Sequence, residues 1–131
     1  MKLYLAGKMT GISQFNFPAF HDAARLLRGA GYEVFSPAEH DEAMGFDSSQ
    51  MTGFEVLDGP YTLREMLLAD TSWICTHAEG IALIPGWETS KGAVAELALA
   101  RALGLWAGSI DEFLYDALLP ADAVFRKQFC A

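Results

Sequence analysis

The chain has 131 residues, 9 Lys plus Arg against 17 Asp plus Glu, and a formal net charge of −8. That length fits a single domain over residues 1–131, and 52% hydrophobic with 20% charged residues excludes disorder of the whole chain. No apolar run nears the ~20 residues of a membrane span, and two cysteines, Cys75 and Cys130, make neither a disulfide scaffold nor a zinc signature.

Residues Lys2–Ala6 alternate in hydropathy and predict a first strand, ended by Gly7. Gly7–Phe17 reads as a loop, after which Pro18 suits the first turn of a helix running to about Ala30. Phe20, Ala23, Ala24 and Leu27 form its expected buried face, and Gly31 ends it. Tyr32–Phe35 is the second predicted strand. Ser36–Pro60 has no clean period and is expected to be irregular. Thr62-Leu-Arg-Glu65 is a capping box that opens a helix to about His77. Gly80–Ile84 predicts a strand, Pro85–Thr89 a turn, and Ser90–Leu103 a helix closed by Gly104. Leu105–Gly108 is a candidate last strand, followed by a short helix around Asp111–Leu119.

Strands alternating with helices at this spacing predict an α/β fold. The expected form is a flavodoxin-like or Rossmann-like three-layer sandwich with a parallel sheet of four to five strands. Such sheets bind ligands at the carboxyl ends of their strands. The loops Gly7–Phe17, Ser36–Pro60 and Pro85–Ser90 therefore become the places to look.

Charge is unevenly spread. Residues 1–38 carry four bases against two acids, a balance of +2, which leaves −10 for the other 93 residues. Between Glu39 and Asp58 there are six acids and no Lys or Arg. Such a surface repels a polyphosphate backbone, so a polynucleotide is not the expected partner. A small anion in one local site remains compatible.

The loop Gly7-Lys-Met-Thr-Gly-Ile12 offers glycines and N–H groups to an anion, with Lys8 among them, yet matches no Walker signature. A plain strand-to-helix turn is its other reading. Ser90 is the natural N-cap of its helix, and Gly92 in the first turn is costly unless something approaches closely. Together they read as a helix cap or as a phosphate site.

Glu96 sits on a helix that is apolar nearly all round. Its i±3 and i±4 neighbours are Gly92, Ala93, Leu99 and Ala100, so no intrahelical ion pair is available. Asp70 falls inside the stripe formed by Leu63, Met66, Leu67, Trp73 and Ile74. Either carboxylate has a plain alternative: a solvated surface Glu, or a buried Asp bonded to backbone N–H groups. Two carboxylates in apolar settings can also provide one nucleophile and one acid. Trp87 is a candidate for stacking on an aromatic ligand, or for packing over the sheet edge, and Cys75 is expected in the core. No cofactor or metal is implied. The apolar helix predicts at least a homodimer, and the absence of a leader-like segment predicts a cytoplasmic protein.

Tyr4-Leu-Ala-Gly7, Asp70 late in a helix and Ser90-x-Gly92-x-x-x-Glu96 resemble the nucleoside 2-deoxyribosyltransferase superfamily, which includes 2′-deoxynucleoside 5′-monophosphate N-hydrolases. The resemblance covers roughly residues 2–106. The phrase Leu83-Ile-Pro-Gly-Trp-Glu-Thr-Ser-Lys-Gly-Ala93 looks most like a sparsely characterised branch common in phages and bacteria. It implies that Glu96 is the nucleophile, that Tyr4 orients it, and that Asp70 protonates the departing base. It also implies that Gly7, Gly11 and Gly92 approach the sugar. Ser90, six residues before Glu96, implies a monophosphate substrate, where an Asp would imply a free 5′ hydroxyl. The expected function is cleavage of an N-glycosidic bond in a nucleoside or nucleotide, finished by water or by a second base. A non-catalytic nucleotide-binding module and a purely structural oligomer are the alternatives.

Overall fold

The computed structural model describes residues 1–57 and 62–120, so expectations about Asp58–Pro60 and Cys130 lie outside the described residues. Four strands form one parallel sheet: β1 (Lys2–Ala6), β2 (Glu33–Phe35), β3 (Gly80–Leu83) and β4 (Trp106–Ser109), in the order β2-β1-β3-β4. Among the described residues five helices accompany them: α1 (Phe17–Gly29), α2 (Pro37–Ala43), α3 (Leu63–Thr76), α4 (Lys91–Ala102) and α5 (Ile110–Ala117). The expected α/β sandwich is the fold observed.

The alternation of β1 explains the three layers. Leu3 and Leu5 face α1 and α5, where Phe17, Phe20, Leu27 and Phe113 complete one core. Tyr4 and Ala6 point the other way, into a second core with Ile74, Ile81, Leu97 and Ala100. β1 and β3 are central strands, covered on both faces, which is why they read as nearly continuous apolar runs. The predicted face of α1 is buried as expected. The N-terminal ends of α3 and α4 follow from their caps: Thr62 accepts from Glu65 N, and Ser90 accepts from Ala93 N.

Four expectations are corrected. Ser36–Pro60 is not irregular throughout, because Pro37–Ala43 forms α2, a helix of seven residues. Two turns are too few to show a period, and Pro37 in the first turn was its main signal. Leu63 is 58% exposed, because the first turn of α3 runs past the edge of the layer. Cys75 is exposed, since the buried face of α3 is Met66, Asp70 and Ile74. The last helix begins at Ile110, directly after β4, where Ser109 and Glu112 form a second capping box.

The apolar face of α4 is covered only in part, since Ala95 and Ala98 are exposed. The sheet covers one side and α3 another, while Val94 and Leu103 stay partly exposed. Among the described residues no helix is long and apolar enough to cross a membrane.

Leu27 and Leu26 are adjacent, but only Leu27 is fully buried. Leu27→Ala should therefore cost about 3 kcal/mol in urea denaturation, through lost burial and a cavity. Leu26→Ala should cost less than about 1 kcal/mol. Equal losses would contradict the assigned face of α1.

Candidate active site

A cavity of about 700 Å³ opens over the carboxyl ends of β1 and β3. Tyr4, Asp70 and Glu96 meet there, brought from β1, α3 and α4 respectively. Gly7, Lys8, Gly11, Ser90 and Gly92 line the same space. Of the residues singled out from the sequence, Trp87 is the one left outside: it packs against the second core, on the apolar side of its two readings.

The centre of the site is a hydrogen bond from the Tyr4 hydroxyl to Glu96 Oε2. Tyr4 is fully buried, and Glu96 is 6% exposed. Burial, reinforced by the neighbouring acids Glu96 and Asp70, pushes the Tyr4 phenol well above its ordinary range. It therefore stays protonated and acts as a donor. An aromatic stack holds the ring in place: Phe35 of β2 lies 5.7 Å from Tyr4, and Trp73 of α3 lies 5.0 Å from Phe35.

Burial dominates the titration of both carboxyls. It pushes Glu96 up to about 8, opposed by the Tyr4 hydrogen bond and assisted by the charge of Asp70. Asp70 is pushed up to about 7 by burial first, then by the charge of Asp41, against the pull of the Tyr4 hydroxyl. Tyr4 has only one proton to give, and it goes to Glu96. Asp70 feels the hydroxyl dipole, while its buried Oδ1 has no hydrogen-bond partner among the described residues. A buried carboxyl oxygen without a partner is one that a proton or a ligand donor would satisfy. The two carboxyls interact, so their midpoints belong to the pair.

Two lysines also line the cavity. Lys8 follows β1, Lys91 opens α4, and Ser90 caps that helix with its Oγ 3.1 Å from Ala93 N. Because Oγ accepts that bond, its own O–H remains able to donate into the cavity. Gly92 has no packing reason to be glycine: a Cβ there would meet only Ser90 Oγ, at 3.9 Å. A side chain would instead fill cavity space beside the exposed N–H groups of the first turn.

The loop between β1 and α1 is strained. Gln14, Phe15 and Asn16 have φ of 57, 51 and 63°, a left-handed run that costs L-residues about 1 kcal/mol or more each. Its supports are visible: Asn16 Nδ2 donates to Lys8 O at 2.9 Å, and Phe15 is buried against Phe46 at 5.9 Å. The segment after α2 folds across this loop. Gly11 N donates to Gly53 O and Gln14 N to Met51 O, each at 2.8 Å. Gly53 has φ of +94°, and a Cβ there would fall 2.2 Å from Ile12 O, so only glycine fits.

Two contributors escaped the sequence reading. Asp41, 3% exposed on α2, lines the cavity, as does Phe54 at its mouth. The spacing of Pro37, Ala38 and Asp41 was the available signal for a buried helix face. Among the described residues no group of three or more His, Cys, Asp or Glu is arranged to hold a metal ion.

Residues 1–107 match the family described as Domain of unknown function (DUF4406), and the chain belongs to that family. No curated protein matches the chain.

The raised Glu96 carboxyl makes stability fall as pH rises. Between its ordinary value of 4.5 and about 8, the folded protein holds a proton that the unfolded chain has released. Glu96→Gln removes that titration. Its stability relative to wild type, from urea denaturation, should grow by up to about 1.4 kcal/mol per pH unit from about pH 5 to about pH 8. A constant difference over that range would contradict the burial assigned to Glu96.

Proposed function

We propose that the protein cleaves the N-glycosidic bond of a 2′-deoxyribonucleoside 5′-monophosphate or related nucleotide, with Glu96 as nucleophile. The observation that carries this reading is the buried Tyr4–Glu96 hydrogen bond facing a cavity that also holds Asp70. The resemblance of Tyr4, Asp70 and Ser90-x-Gly92-x-x-x-Glu96 to the deoxyribosyltransferase superfamily supports it independently.

The chemistry follows from the arrangement. Glu96, as carboxylate, attacks the anomeric carbon while the bond to the base nitrogen breaks. Positive charge developing on the sugar favours the ionised form of Glu96, and the Tyr4 hydroxyl keeps the attacking group oriented. Asp70 gives its proton to the departing nitrogen and becomes a carboxylate. Water then attacks the same carbon, returns a proton to Asp70 and frees Glu96. A second base in place of water yields transfer.

The two lysines of the cavity suit the 5′ substituent. Lys8, the Ser90 hydroxyl and the N-terminus of α4 would face a phosphate, and Gly92 leaves it room. Gly7 and Gly11 let the backbone come close to the sugar. An acidic surface outside this patch is compatible with one small anion.

Productive chemistry needs one proton on the carboxyl pair, carried by Asp70. Base release from a mixture of deoxynucleoside monophosphates, followed by chromatography, should therefore be bell-shaped in pH. Its maximum should lie between about 7 and about 8, the two carboxyl values. Glu96→Gln should lower the rate by roughly 10³-fold or more, and Asp70→Asn by about 10²-fold. Equal base release by wild type and Glu96→Gln would overturn the proposal.

A further inference from the structure

α2 packs on α3, and α3 packs on α4, so the three helices bring Asp41, Asp70 and Glu96 to one cavity in that order. All three side chains are almost fully buried: Asp41 is 3%, Asp70 7% and Glu96 6% exposed. The cations of the cavity, Lys8 and Lys91, belong to the β1 loop and the start of α4. Asp70 is thus flanked by acids on both neighbouring helices.

We propose that Asp41 is a positioning residue that keeps the proton on Asp70, so that a leaving base meets an acid there. This rests on the reaction proposed above and adds to it a residue that acts only through Asp70. The groups facing Asp70 are Asp41 from α2, Glu96 from α4 and Tyr4 from β1. His40, next to Asp41 on α2, lies instead against the Phe35 ring at 5.5 Å. Glu96 is held by the Tyr4 hydroxyl, whereas Asp70 Oδ1 has no partner among the described residues.

A carboxylate beside a second buried carboxyl penalises ionisation of that second group. The charge of Asp41 therefore favours the O–H form of Asp70 in the free enzyme. In the reaction the Asp70 O–H bond breaks and an N–H bond forms on the base. Asp70 is then left as an anion next to Asp41, a state that favours recovering a proton from the attacking water. Asp41 touches no reacting atom in this scheme. Its effect is on the pH at which Asp70 is armed.

Carbon-13 carboxyl NMR on the full chain, without nucleotide, reads Asp70 directly in wild type and in Asp41→Asn. The expected result is a fall of roughly one pH unit in the Asp70 midpoint, a tenfold loss of proton affinity. An unmoved midpoint in a folded variant overturns the proposal. Should Asp41→Asn fail to fold, wild type alone decides: Asp70 should show a second inflection where Asp41 ionises. A single-step curve at the ordinary aspartate value overturns the proposal. In the base-release assay the low-pH limb, which Asp70 sets, should move down by the same interval in Asp41→Asn. Absence of base release from wild type counts against the reaction, while the NMR midpoint still decides the role of Asp41.

Discussion

One buried hydrogen bond, from Tyr4 on a central strand to Glu96 on an apolar helix, sets the terms for the rest of the site. Burying a carboxylate is costly unless a partner is supplied, and here the partner is a phenol that burial itself prevents from ionising. The bond ties α4 to the middle of the sheet, because β1 lies between β2 and β3. Beside it Phe35 stacks on the Tyr4 ring and Trp73 on Phe35, which braces the donor. The nucleophilic role proposed for Glu96 would call for this kind of preparation: low exposure and one donor held on Oε2.

Much of that was legible from local chemistry. Glu96 had no possible ion-pair partner at i±3 or i±4, and the structure gives it a partner from β1 instead. Asp70 stood within an apolar stripe, and it is buried. Ser90 had the form of an N-cap, and it caps α4. Each of these readings used intervals of one helix, where the repeat of 3.6 residues ties sequence spacing to direction. The parallel sheet followed from the same kind of signal, repeated along the chain.

What was not legible depends on contacts between distant segments. Asp41 read as part of a solvated acidic run, because a helix of seven residues is too short to display its buried face. Glu55 is exposed, as a surface acid of that run should be. What the run did not announce is that the Glu55 carboxylate accepts from the N–H groups of Thr52 and Gly53 at 2.9 Å, knotting the turn that lays Gly53 against Ile12. The hydrogen bond from Thr52 N–H leads the causes that hold Glu55 below the usual carboxylate range. Trp87 offered a flat aromatic face at a promising loop, yet the turn after β3 directs it to the core. The left-handed run at Gln14, Phe15 and Asn16 has no glycine to announce it. Net charge was likewise a coarse guide: a total of −8 coexists with a cavity lined by two lysines as well as by buried carboxyls.

The central claim is that Glu96 forms a bond to the sugar. Mixing the protein with deoxynucleoside monophosphates, quenching in acid and mapping peptides by mass spectrometry tests it most directly. The account predicts a deoxyribose phosphate adduct on the peptide containing Glu96, absent when Tyr4→Phe and Glu96→Gln are combined. Base released with no adduct on that peptide, or an adduct carried by another residue, would contradict it.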